Sequence, residues 1–227
     1  MKLTSEGIAV IEDDTHLSKW IEEQKTLEVA KGFCELFARF IPPGGTVIDV
    51  GACLGDMTAT FSRMVGDNGS VIAFEPNPAA FECLYHNMKP YKNVRLINCG
   101  LGSVRSSASV VHPPNADKNL GASQLKDGGP VLITSMDNLS ASWKRVDFIK
   151  IDAEGWEPRI LNGAIDTLKR FKPTILVEIN IPILESMGQT RHDVMKPLMD
   201  LGYAFQPAEP HLSWDLPQLD VLCIPPI

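Results

Sequence analysis

The run Val47-Ile48-Asp49-Val50-Gly51-Ala52-Cys53-Leu54-Gly55-Asp56-Met57-Thr58 constrains the fold more than any other part of the chain. Its first residues form a short apolar stretch, the pattern of a strand buried on both faces of a parallel sheet. Gly51 and Gly55 then allow a sharp turn that no bulky residue could follow, and a helix is expected from about Thr58. Such a strand–turn–helix unit occurs in α/β proteins, where the turn brings backbone close to a ligand.

The same alternation recurs along the chain. Strands are expected at Val71–Phe74, Val94–Asn98, Val146–Ile151, Thr174–Ile179, Tyr203–Phe205 and Asp220–Ile224, with helical segments at Pro78–Met88, Glu157–Phe171 and His192–Leu201. This predicts an α/β fold with a mostly parallel seven-stranded sheet and helices on both faces. Residues 15–41 read as an N-terminal helical segment, stopped by Pro42, Pro43, Gly44 and Gly45. Residues 103–137 break the pattern. They are rich in Ser, Gly and Pro and carry two alternating stretches that suit a small antiparallel excursion before the fourth core strand; long connections of this kind are often functional.

At 227 residues the chain suits one domain. Its net charge of −7 and scattered basic residues disfavour a nucleic-acid partner. No apolar run approaches a membrane span, and residues 1–14 lack the pattern of a signal peptide. Five cysteines without a C-x-x-C pair argue against a disulfide framework or zinc site and for a reducing, cytoplasmic setting.

Candidate chemistry gathers at the strand ends. The G-x-x-x-G spacing of Gly51 and Gly55 differs from the G-x-G-x-x-G of dinucleotide binders, so an NAD-dependent dehydrogenase is disfavoured. Asp49 suits a ligand with an amino acid group and a sulfonium, such as S-adenosylmethionine, better than a phosphate. Glu75 ends the next strand, where a carboxylate typically accepts hydrogen bonds from two ribose hydroxyls. The Asn98–Gly102 turn, with Gly100 and Leu101, could take a purine. Asp152 and Glu154 end the strand expected beside the first, and two carboxylates there need a cation, a donor or a substrate to offset their desolvation. Glu154 could instead serve only to cap the following helix.

These segments together resemble the FkbM family of methyltransferases. The resemblance rests on VIDVGACLGDMT, AFEPNP, NVRLINCGLGS, SMDNL, VDFIKIDAEGWEPRILNGA, PTILVEIN and DVLCIP, in the family's order from about Pro43 onward. It implies a class I methyltransferase fold of the Rossmann-like type, S-adenosylmethionine as donor and O-methylation of a hydroxyl on a small molecule or sugar. It places Asp49, Gly51, Ala52, Gly55, Thr58, Glu75, Pro76 and Asn77 at the donor, and Asp152 and Glu154 beside the reactive centre. Cys53 stands where the family usually has Asn.

Methyl transfer to an alcohol needs orientation and removal of a proton. Asp152 and Glu154 are the leading bases, with His112, His192 and His211 as further candidates. Glu178 and Asn180 could join Asp152 as oxygen ligands of a divalent metal such as Mg²⁺. N- or C-methylation, and donor binding without catalysis, remain alternatives. Within the excursion, Asn119–Ser123 is expected nearest the donor.

Overall fold

The computed structural model describes residues 1–29, 31–112 and 118–227. Residues 113–117 of the expected excursion and residue 30 of the expected N-terminal helix lie outside them. Strands β1 (Lys2–Leu3) and β2 (Ala9–Val10) form a short antiparallel pair ahead of helices α1 (Leu17–Gln24) and α2 (Lys31–Phe37). The segment read as one helix is therefore two. Lys25 takes a left-handed φ of 56° and closes its N–H on the Ile21 carbonyl, which ends α1 as a C-terminal cap does.

The glycine turn joins β3 (Thr46–Val50) to α3 (Asp56–Val65), followed by β4 (Ser70–Phe74), α4 (Pro78–Asn87) and β5 (Val94–Ile97). Four short strands come next, β6 (Gly100–Leu101), β7 (Ser106–Val111), β8 (Gln124–Asp127) and β9 (Val131–Thr134), then α5 (Met136–Ser140). The remainder comprises β10 (Phe148–Ile151), α6 (Glu157–Asn162), α7 (Ile165–Phe171), β11 (Thr174–Asn180), α8 (Ile181–Ser186), α9 (Arg191–Asp200), β12 (Ala204–Pro207) and β13 (Gln218–Ile224).

Seven of these strands form one sheet in the order β12-β13-β11-β10-β3-β4-β5. Pairing is parallel from β11 through β10, β3 and β4 to β5, while β13 runs antiparallel between β11 and β12. The expected seven-stranded, mostly parallel sheet is present. Chain order reverses between β3 and β10, so a crevice opens above their carboxyl ends, the place where open α/β sheets bind ligands.

Strand alternation divides the core. Val47 and Phe148 pack with Phe37, Phe61 and Val71 on one face, while Ile48, Val50, Ile149 and Ile151 pack with Trp156 and Ile160 on the other. Asp49 and Lys150 are register partners. By the same alternation they belong to the Val47–Phe148 face, as does Asp152 beyond the strand.

The excursion is a second sheet of order β6-β9-β7-β8. Its Ala108, Leu125, Val131 and Ile133 join the core cluster that contains Phe74, Leu101 and Trp156, so it is a packed layer rather than a loose loop. Arg159 of α6 also holds Asp127 of β8 through its two terminal guanidinium nitrogens. The segment expected as one helix after β10 is broken into α6 and α7. A side chain at Gly163 would collide with the Gly102 carbonyl, and the Gly163 carbonyl accepts a bond from Asp137 N, so the close approach of the excursion sets the break. Among the described residues no helix is long and apolar enough to cross a membrane.

Candidate active site

A cavity of about 320 Å³ lies over the carboxyl ends of β3, β4, β10 and β11, within the usual range for small-molecule sites. The glycine turn forms its floor. Gly51 has φ +83°, and a Cβ there would collide with the carbonyl oxygen of Asp152. Glycine is required because β3 and β10 must be this close for the turn and Asp152 to share one crevice. Asp152 N in turn bonds the Val50 carbonyl at 3.1 Å.

Glu75 organises the next wall. Its Oε2 accepts the Cys53 N–H at 2.8 Å and its Oε1 accepts the Asn77 N–H at 2.8 Å. Each carboxylate oxygen thus keeps one acceptor position in hand. Burial lifts the Glu75 carboxyl to about 7, against the pull of those two N–H groups. Asn77 caps α4 through Ala79 N, and Pro78 begins the helix, so the Glu75-Pro76-Asn77 turn is held at both ends. Asn98 donates to the Glu75 carbonyl at 2.8 Å, which draws the end of β5 against the same turn. Pro76, Gly100 and Leu101 line the cavity beside it.

Not every expected donor residue reaches the cavity. Gly51, Glu75, Pro76, Asn77, Gly100 and Leu101 line it, whereas Asp49, Ala52, Gly55 and Thr58 do not. Asp49 is fully buried and accepts the Thr58 hydroxyl at 2.5 Å, leaving Oδ1 without a partner. Its carboxyl is raised by burial and lowered by the charge of Lys150. These residues brace the turn from behind. Cys53 lines the cavity in a left-handed conformation, φ +47°, a region that Asn tolerates better than most residues. Burial and the neighbouring Glu75 push its thiol well above the ordinary range, which disfavours the thiolate.

The opposite wall is acidic. Asp152, Glu154, Glu178 and Asp220 line it, with Glu178 and Asp220 paired in register across β11 and β13. Burial and mutual repulsion lift Glu154 to about 8, Glu178 to about 9 and Asp220 to about 6. Glu154 stands in a tight turn at φ +48°, ahead of α6 rather than capping it, and among the described residues its buried Oε2 has no hydrogen-bond partner. Glu157 does the local bracing instead, its Oε1 accepting from Ala153 N and Gly155 N. That leaves Glu154 free of the capping role that offered its bland explanation.

One side chain went unread in the sequence. Lys150 points into the cavity, 12% exposed, and its Nζ lies 3.1 Å from Asp152 Oδ2. Burial opposes its charge, but Asp152, Asp49 and Asp56 together hold its pKa above the ordinary lysine value. The signal was present: a lone lysine inside Phe148-Ile149-Lys150-Ile151, where the alternation is otherwise apolar. Asp56, in the first turn of α3, also lines the cavity and is lifted to about 6 by burial.

The other candidates separate. His112, His192 and His211 are exposed and line none of the cavity. Asn180 caps α8 through Ile183 N and does not line the cavity. Carboxylate oxygens of Asp152, Glu154 and Glu178 do lie within 4.8 Å of one another, close enough for a hard cation to bridge. From the excursion, Leu120, Gly121 and Ser123 reach the cavity wall, and the Leu120 N–H is held by Asp14 Oδ1 at 3.0 Å.

Comparison with known proteins agrees with this architecture. The Methyltransferase FkbM domain matches residues 49–205. Precorrin-6y C5,15-methyltransferase from Geobacter metallireducens GS-15 shares the fold at a TM-score of 0.52 and 13% identity, covering 99% of this chain and 98% of that one. SMU.1697c from Streptococcus mutans, solved in complex with SAH, aligns at a TM-score of 0.53 and 12% identity over 84% of this chain and 94% of its own. Methyltransferase FkbM from Methylobacillus flagellatus KT gives 17% identity and a TM-score of 0.48 over 79% of this chain; the match spans 43% of that protein's length. No curated protein matches the sequence. The family match covers more than half of the chain, from the end of β3 to β12, and the chain belongs to the FkbM methyltransferase family.

Proposed function

We propose that this protein transfers the methyl group of S-adenosylmethionine to a hydroxyl of a small molecule or sugar, with Glu154 as the base and Asp152 beside the reacting centre. The donor supplies a methyl carbon already activated by a sulfonium. What the residues present must add is a grip on the nucleoside, orientation of the acceptor and a home for its proton.

The cavity fits that donor. Glu75 has one acceptor position left on each oxygen for the ribose hydroxyls, and Pro76, Gly100 and Leu101 form a small-residue and apolar wall for the purine. The acidic wall favours the sulfonium's positive charge. The acceptor would enter between that wall and Leu120, Gly121 and Ser123 of the excursion. Six carboxylates line the cleft, Asp56, Glu75, Asp152, Glu154, Glu178 and Asp220. Such a surface repels phosphates, which supports a small neutral or cationic acceptor over a nucleic acid.

The observation that carries the assignment of the base is Glu154 Oε2, buried on the cavity wall with no partner among the described residues. Once ionised, a carboxylate whose acid form titrates at about 8 can take a proton from an alcohol as the new bond forms and release it as pH rises past that value. Glu154→Gln keeps shape and donor binding but lowers single-turnover methyl transfer by about 10²–10⁴-fold, the usual worth of a general base. The parent's rate climbs with pH as Glu154 ionises, and the variant loses that climb. A folded variant with near-normal turnover would remove Glu154 from the chemistry.

A further inference from the structure

We infer that Lys150 is the anchor for the α-carboxylate of the bound donor, and so fixes how far the donor's amino acid tail reaches across the cleft. The inference rests on the donor placement proposed above and adds to it the position of the tail.

The order of groups along the crevice sets the problem. With the ribose on Glu75 at the end of β4, the rest of the donor must cross the Gly51 turn at β3 and arrive at the end of β10. That tail carries an ammonium and a carboxylate. The ammonium meets no shortage of partners, because acidic side chains surround it. The carboxylate does. Among the described residues lining the cavity, Lys150 is the only lysine, arginine or histidine. An anion brought against Asp152 and Asp56 without a cation would be repelled from both sides.

Lys150 also has capacity to spare. An ammonium offers three donors. One is used on Asp152 Oδ2 at 3.1 Å, and among the described residues no other hydrogen-bond partner is within reach. A mostly buried lysine with two unused donors on a cavity wall is built to receive an anion, since leaving them unmet is costly. Its register opposite Asp49 places it beneath the turn, where the tail must pass. Asp49, Asp56 and Asp152 keep it charged without occupying those donors.

The test compares S-adenosylhomocysteine with its decarboxylated form, 5′-deoxy-5′-(3-aminopropylthio)adenosine, by calorimetry. Both carry the amine, so their affinity ratio isolates the carboxylate, and the ratio is insensitive to a partly inactive preparation. The parent is expected to prefer S-adenosylhomocysteine by roughly tenfold to a hundredfold, the span of one charge-assisted hydrogen bond. Lys150→Met should bind the two alike, and Lys150→Arg should keep the preference. An unchanged ratio in Lys150→Met, or no preference in the parent, overturns the inference while leaving the donor site standing. Failure of the parent to bind S-adenosylhomocysteine overturns the donor site itself and this inference with it. Should Lys150→Met not fold, a crystal structure of the parent with S-adenosylhomocysteine decides the matter: a carboxylate oxygen within hydrogen-bond reach of Lys150 Nζ supports the anchor, and a carboxylate held elsewhere refutes it.

Discussion

Replacing Glu154 by glutamine should make the ligand-free protein more stable even as it disables methyl transfer, and the size of the gain follows from where the carboxyl sits. In the unfolded chain a glutamate ionises near 4.5, whereas in the cleft burial and the charges of Asp152 and Glu157 raise it to about 8. Between those values the unfolded state holds fewer protons than the folded one, so the parent loses stability as pH rises through that window. Integrating over the shift gives a penalty of under about 1 kcal/mol at pH 5 and about 3 kcal/mol at pH 7. Glutamine is neutral throughout and of similar shape, so it removes the penalty. Glu178, whose carboxyl is lifted partly by Glu154, is relieved as well. For a domain of this size about 3 kcal/mol corresponds to roughly 6–12 °C in Tm at pH 7, shrinking to a few degrees at pH 5. Thermal melts of both proteins by circular dichroism at pH 5, 6, 7 and 8 measure the divergence. A variant that melts at or below the parent across the whole series would mean that Glu154 is ionised and paired in the folded protein, and the reasoning from its unpartnered Oε2 would fail.

Three further outcomes are expected. Glu75→Ala should weaken S-adenosylhomocysteine by on the order of 2–4 kcal/mol in calorimetry, and should also lower Tm because the Cys53 and Asn77 N–H groups lose their acceptor; unchanged affinity in a folded variant removes Glu75 from the ribose site. Cys53→Asn should leave donor affinity equal or tighter, since Asn suits the left-handed backbone there, and Cys53→Ala should cost less than about tenfold; a large loss in both would reveal a role for the thiol. EDTA should leave methyl transfer intact, because Lys150 already pairs with Asp152, one of the three carboxylates of the cluster; loss of activity restored by Mg²⁺ would make that acidic cluster a metal centre.

Local periodicity carries far in this chain. Seven apolar runs announce seven strands, and the glycine turn after β3 announces the crevice, because a strand buried on both faces must be apolar and a turn meeting β10 so closely must be glycine. Glu75, Asp152 and Glu154 are legible for the same reason, as polar residues placed where apolar strands end. Helix breaks are less so: Lys25 and Gly163 interrupt helices through a left-handed cap and a close backbone approach, and neither leaves a mark in hydrophobic spacing. The electrostatics needed the fold altogether. Asp49 looks like a ligand residue in sequence, yet it is sealed behind the turn with Thr58, while Lys150 looks like an interruption of a strand and stands in the cleft as the counter-charge to Asp152. Glu178 and Asp220 lie 42 residues apart in the chain and meet only because β13 enters antiparallel beside β11. Sequence spacing determines which face of a strand a side chain takes. Which charges then confront one another, and which of them are cut off from water, depends largely on pairing between distant strands, and the burial that this pairing creates is the first cause of the carboxyls' shifted proton affinities.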